Sequence, residues 1–60
     1  MRVKFWDWDH RGQEVLFVGT VVGEFTDPEE RYARPSYGVR LDDGGYKTPY
    51  ADECREIQYA

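Results

Sequence analysis

The sequence predicts an all-β domain: a small five-stranded antiparallel barrel with one short 3₁₀ turn before the last strand. Residues 37–41 alternate apolar and polar side chains with the two-residue period of a half-buried strand. Residues 14–25 are rich in β-branched and aromatic side chains and are interrupted by glycines, which disfavours a helix. The aspartates and glycines of residues 42–45 suit a tight turn, so residues 37–50 are predicted to form a hairpin.

Chain length and cysteine content limit what can stabilise this domain. The chain has 60 residues, which allow a single domain over residues 1–60 with a core near the smallest workable size. It contains one cysteine, Cys54, so no disulfide can form within the chain. With only one histidine, His10, it also lacks the ligands of a closed zinc site. We therefore expect no metal and no cofactor, and a core built from apolar side chains alone.

The first strand is predicted over residues 2–8. Because side chains alternate across a strand, Val3 and Phe5 share one face and Trp6 and Trp8 share the other. If Val3 and Phe5 point into the barrel, both indoles lie outside. The alternative is that a bulge or strand end turns one indole into the core, or that the long central loop covers them.

The second strand, over residues 14–25, follows a polar turn and has apolar side chains on both faces. A strand that bends at a glycine can bury first one face and then the other, and Gly19 is the predicted bend. A loop over residues 26–35 follows, in which Asp27 and Pro28 suit the start of one helical turn. The predicted centre of the core is Val15, Phe17, Val21, Val39, Leu41 and Ile57.

The last part of the chain, residues 51–59, is too short for an independently stable helix. A 3₁₀ turn over residues 51–54, followed by a short strand, allows Cys54 and Ile57 both to face inward.

The order of these elements resembles a known fold. A first strand, a glycine-bent strand written GTVVGEF, a loop, the segment YGVRLDDG, a short strand and the segment ADECREI look like SH3-like small barrels of the Tudor and KOW type. The order is also similar to that of small SH3-like accessory subunits of photosynthetic and redox complexes. The resemblance covers nearly the whole chain and implies a fold more than a function, because SH3-like barrels include peptide binders, methyl-lysine readers and assembly subunits. The chain has no ALYDY-like segment of a true SH3 domain.

The charge balance argues against several classes of partner. Eight basic and 12 acidic residues give a net charge of −4, which repels a nucleic-acid backbone and differs from KOW ribosomal proteins. The N-terminal residues contain no apolar run of signal-peptide length, and nothing in the chain approaches a membrane span. We expect a cytoplasmic protein that does not bind membranes.

Catalysis has little support in the sequence. Asp7, Asp9 and His10 offer metal-ligand atoms, but three adjacent residues rarely orient enough ligands, so they are interpreted as turn residues. His10 and Cys54 are a possible base and nucleophile, yet no third group is identifiable to orient the histidine. Cys54 is interpreted as a small core side chain, and the protein as a non-enzyme with no catalytic residues.

The predicted function is therefore protein interaction: a module, accessory subunit or inhibitor that docks on another protein or on itself through an aromatic surface and the 26–35 loop. The alternative is a nucleic-acid-binding barrel that stacks bases on exposed aromatic rings. A third possibility is an aromatic cage, completed by Asp42 or Asp43, that binds a methylated cation. The candidate binding residues are Trp6, Trp8, Arg31, Tyr32, Arg34, Asp42 and Asp43.

Overall fold

The computed structural model describes residues 1–26 and 34–58, and these form one antiparallel sheet of five strands. The strand order is β4-β3-β2-β1-β5. The predicted all-β class and the 3₁₀ turn before the last strand are both confirmed. The strands are β1 (Arg2–Trp8), β2 (Glu14–Phe25), β3 (Ser36–Leu41), β4 (Tyr46–Lys47) and β5 (Arg55–Glu56), and the 3₁₀ turn spans Ala51–Glu53.

The long strand β2 connects the two halves of the sheet. Its first part pairs with β1 and its second part with β3, and Gly19 lies opposite both Val3 and Leu41. A Cβ atom at Gly19 would collide with the carbonyl oxygen of Arg40 and lie 2.7 Å from a methyl group of Val39. The close approach of β3 therefore requires glycine at the position where β2 changes partners.

A β-bulge follows this crossover. Val21 pairs with Val39 and Gly23 with Gly38, so Val22 is an extra residue in β2. The strict two-residue alternation predicted for this strand ends at the bulge. Phe25, which that alternation placed on the same face as Val21, is 53% exposed.

The core lies on one face of the sheet, around four buried side chains. Val39 and Leu41 are buried, as predicted, and they pack with Val3 and Phe5. Val15 and Ile57, which were predicted at the centre, are only half-buried. Val15 lies near the β1–β2 turn and Ile57 follows the two-residue strand β5, so fewer strands surround them. The half-buried side chains that pack against the core are Phe17, Val21, Tyr37 and Cys54.

The sheet is not closed into a barrel, which differs from the sequence prediction. The edge strands β4 and β5 have two residues each and do not pair with each other. Pro49, just after β4, has no N–H to donate. One side chain bridges part of the opening: the Nζ of Lys47 on β4 lies 3.2 Å from the carbonyl oxygen of Trp8 and 3.4 Å from the carboxylate of Asp7. No helix within the described residues is long and apolar enough to cross a membrane.

Leu41→Ala should destabilise the fold by about 2–5 kcal/mol, because it leaves a cavity in a core that has only four buried apolar side chains among the described residues. This is a large share of the stability of a small domain. Urea denaturation measures the effect, and Leu16→Ala is the matched control because Leu16 is 44% exposed. Equal stability of the two variants would show that Leu41 is not a core residue.

Gly19→Ala should cost about 1–3 kcal/mol, because the new methyl group meets the backbone of Arg40 and the buried side chain of Val39, neither of which can move away freely. Gly23→Ala is the control on the same strand. A Cβ at Gly23 meets first the exposed ring of Phe25, at 3.3 Å, and that ring can move. Thermal melts should separate the two variants clearly, and a Gly19→Ala protein as stable as its control would contradict the proposed crowding at the crossover.

Candidate functional site

The two tryptophans of β1 lie on the outer face of the sheet. Val3 and Phe5 fill the core, so strand alternation directs Trp6 and Trp8 outward. Trp6 is 59% exposed and Trp8 is 60% exposed. The structure therefore has both indoles outside the core, and neither is turned inward by a bulge or strand end. The other alternative, a cover formed by the long central loop, falls largely outside the described residues.

Trp6 forms part of a shallow apolar groove. Its cross-strand partner on β2 is Leu16, which is also exposed, so the two side chains make one apolar surface. The groove beside them has a volume of about 280 Å³. It is lined by Lys4, Phe5, Trp6, Leu16, Glu53 and Arg55. We call this surface the Trp6 groove.

Two cations face each other across the Trp6 groove. Lys4 on β1 pairs directly with Arg55 on β5, which places like charges opposite each other on neighbouring strands. Within residues 1–26 and 34–58, neither cation forms an ion pair. The acidic residue of the groove, Glu53, lies 3.4 Å from the guanidinium of Arg34, which offsets its charge. The groove is thus locally cationic in a chain of net charge −4.

Trp8 borders a different hollow, at the open end of the sheet. That hollow is lined by Trp8, Asp9, His10, Phe17 and Lys47. The ammonium group of Lys47 lies 4.7 Å from the centre of the Phe17 ring, within the range of a cation–π contact. The position beside this ring that would attract a cation is therefore already taken by a lysine of the same chain.

The other predicted site residues lie apart from the indoles. Asp42 accepts two hydrogen bonds from the guanidinium of Arg2, and Asp43 accepts one from the backbone N–H of Gly45 within the β3–β4 turn. Neither carboxylate joins the exposed rings of β1, so the structure gives no support to a cage built with Asp42 or Asp43. Arg31 and Tyr32 lie outside the described residues, as does most of the 26–35 loop.

Arg34, also predicted to bind a partner, has intramolecular contacts of its own. Its guanidinium donates hydrogen bonds to the carboxylate of Asp52 and lies 3.9 Å from the centre of the Tyr50 ring. The hydrogen bond from Arg34 lowers the pKa of Asp52. These contacts hold the segment just before β3 against the 3₁₀ turn. Glu53, which lines the Trp6 groove, belongs to the same turn.

Asp9 and Cys54, considered above as a metal ligand and a nucleophile, both lie in surroundings that suit a structural role. The carboxylate of Asp9 accepts hydrogen bonds from the backbone N–H groups of Arg11 and Gln13, and the bond from Gln13 chiefly lowers its pKa. Gly12 completes this turn with a φ of 76°. Burial raises the pKa of the Cys54 thiol, which disfavours the reactive thiolate. Among the described residues, no group of three or more metal-ligating side chains is placed to hold an ion.

Sequence reasoning assigned no binding role to three residues that line the groove: Leu16, Glu53 and Arg55. The position of Leu16 was accessible, because a hairpin with a turn at residues 9–13 sets it opposite Trp6. The position of Arg55 could not be predicted in this way, because it depends on pairing between β1 and β5, which are far apart in the sequence.

Comparisons with family models, with curated proteins and with solved structures gave no match for this chain. Its function therefore has to be argued from its own geometry.

Replacing Lys4 and Arg55 by Gln, singly and together, should reveal an unfavourable coupling of about 0.2–1 kcal/mol. The double-mutant cycle isolates the repulsion between the two side chains, and urea denaturation at low salt measures it. A matched cycle on Lys4 and Arg40, which are not cross-strand partners, should show no coupling. A zero or favourable coupling between Lys4 and Arg55 would contradict the paired cations described above.

Proposed function

We propose that this protein is a non-enzymatic interaction domain that docks on another protein through its outer tryptophan face, as an accessory or inhibitory subunit. The observation that carries the proposal is the exposure of Trp6 and Trp8 on one strand of a 60-residue domain, with exposed Leu16 beside Trp6. Exposed neighbouring apolar side chains of this size are typical of surfaces that a partner covers. Tryptophan is also enriched among the residues that dominate binding energy.

The strand arrangement supports assigning the chain to the SH3-like small barrels. The strand order β4-β3-β2-β1-β5, the long strand shared by two ladders and the 3₁₀ turn before β5 all agree with the resemblance seen in the sequence. Members of that fold class serve many roles, so this assignment supports the proposed architecture and leaves the function to the surface itself.

The chemistry of the polar residues favours binding over catalysis. The thiol of Cys54 is half-buried and has a raised pKa, and the carboxylates of Asp9 and Asp43 are engaged in turns. A small domain with shallow grooves offers little of the desolvation that tunes catalytic groups. We therefore place the protein among binding domains that would act in a cytoplasmic complex.

Nucleic-acid binding is the second candidate, because Lys4 and Arg55 flank Trp6 and would contact phosphates while the indole stacks on a base. The net charge of −4 opposes it.

Trp6→Ala combined with Trp8→Ala should leave the melting temperature nearly unchanged, because both indoles lie outside the core. Binding should fall by roughly thirtyfold or more, the usual effect of truncating a central aromatic anchor. The immobilised parent and variant are compared in host extract with and without nuclease treatment, and bound proteins are identified and titrated individually. Phe25→Ala, an exposed aromatic at the far end of β2, is the control.

Two outcomes would count against the proposal. If the double variant unfolds, the indoles contribute to the core. If each protein retained by the parent is retained equally by the folded double variant, the tryptophan face is not the docking surface. Retention that disappears with nuclease treatment would instead favour the nucleic-acid alternative.

A further inference from the structure

We propose that the Trp6 groove binds an acidic protein segment, one that places a large apolar side chain on Trp6 and Leu16 and one or two carboxylates between Lys4 and Arg55. This inference rests on the proposed docking function and names the chemistry of the partner. It is carried by the juxtaposition of an exposed indole with two like-charged side chains that face each other across β1 and β5.

The pairing of Lys4 with Arg55 is unfavourable in the free protein. Directly opposed residues on antiparallel strands have Cβ atoms about 4.5–5.5 Å apart, and like charges at that spacing repel. A carboxylate placed between the two side chains replaces this repulsion with two attractions. Arginine can also hold a carboxylate through two parallel hydrogen bonds, which fixes its orientation.

The charges around Lys4 and Arg55 leave the space between these two side chains attractive to an anion. Glu53 is the only acidic side chain lining the groove among the described residues, and it is already close to Arg34. The guanidinium of Arg34 also bonds Asp52, so this cluster of one cation and two carboxylates leaves a single uncompensated negative charge beside the two positive charges of Lys4 and Arg55. Lys4 and Arg55 therefore act on a bound segment without a neighbouring carboxylate that cancels both of them.

The apolar half of the groove favours a protein segment over a nucleic acid. Leu16 extends the indole surface with an aliphatic side chain, which suits the side chain of Leu, Phe or Trp. Two cations match a segment with one or two carboxylates. A nucleic acid instead carries a continuous row of phosphates, which the net charge of −4 repels over a longer distance. A second copy of this chain carries the same net charge and is disfavoured for the same reason.

The experiment uses fluorescein-labelled nonapeptides with a central Phe, Leu or Trp and two flanking Glu residues, measured by fluorescence anisotropy. The comparison series replaces both Glu residues by Gln. The 60-residue parent should bind the acidic series at least about tenfold more tightly, since hydrogen bonds to charged groups contribute more than neutral ones. That preference should weaken as salt is raised.

Two variants separate the charged and apolar halves of the groove. Lys4→Gln with Arg55→Gln should abolish the preference for acidic peptides and leave the weak binding of the Gln series unchanged. Trp6→Ala should weaken both series. The control is Arg40→Gln, which removes an exposed cation from β3 on the same face of the sheet and should leave the preference intact.

The outcomes distinguish this inference from the function on which it rests. If host proteins or peptides bind in a Trp6-dependent manner but Glu and Gln peptides bind equally, the acidic segment is wrong and the docking function stands. If nothing depends on Trp6, both are wrong. Tighter binding of a single-stranded DNA oligonucleotide, lost in the Lys4→Gln, Arg55→Gln variant, would overturn the inference in favour of nucleic acid. Concentration-dependent dimers that require Lys4 and Arg55 would overturn it in favour of a second copy.

Discussion

The close approach of β3 to Gly19 is the constraint on which the rest of the structure depends. β1 and β3 do not pair with each other, so β2 alone connects the two halves of the sheet through strand pairing, and both ladders include Gly19. A side chain at this position would push the backbone of Arg40 away. The core depends on this contact directly, because Val3 faces Gly19 from one strand and Leu41 from the other.

The exposed tryptophans follow from the same core. A small domain needs apolar side chains at the buried positions of β1, and Val3 and Phe5 occupy those two positions. Strand geometry then leaves Trp6 and Trp8 only the outer face, so their exposure results from how the core is filled. That explains where the indoles point without explaining why the positions hold tryptophan. Polar side chains at these positions would expose less apolar surface to water. The additional apolar surface that the two tryptophans expose is the physical reason to infer a partner.

The sequence was most informative where structure depends on near neighbours. The alternation in β1 and β3 and the 3₁₀ turn could be predicted, because strand period and turn chemistry are local. The bulge at Val22 and the open edge of the sheet could not, since both depend on how separate strands fit together. The site divides in the same way: Trp6 was predicted from its own strand, whereas Arg55 reaches it through pairing between the two ends of the chain.

The distribution of charge connects the fold to the proposed partner. Where acidic side chains lie near cations, they form pairs that join different elements: Arg2 with Asp42 links β1 to the β3–β4 turn, and Arg34 joins the start of β3 to the 3₁₀ turn. The bond from Arg2 lowers the pKa of Asp42, so this link weakens only as the pH falls through that lowered pKa. Lys4 and Arg55 differ, because they are cross-strand partners and neither forms an ion pair within the described residues. In a chain with more acids than bases, an arrangement that opposes two cations beside an exposed indole is better explained by an anion supplied from outside than by the stability of the domain itself.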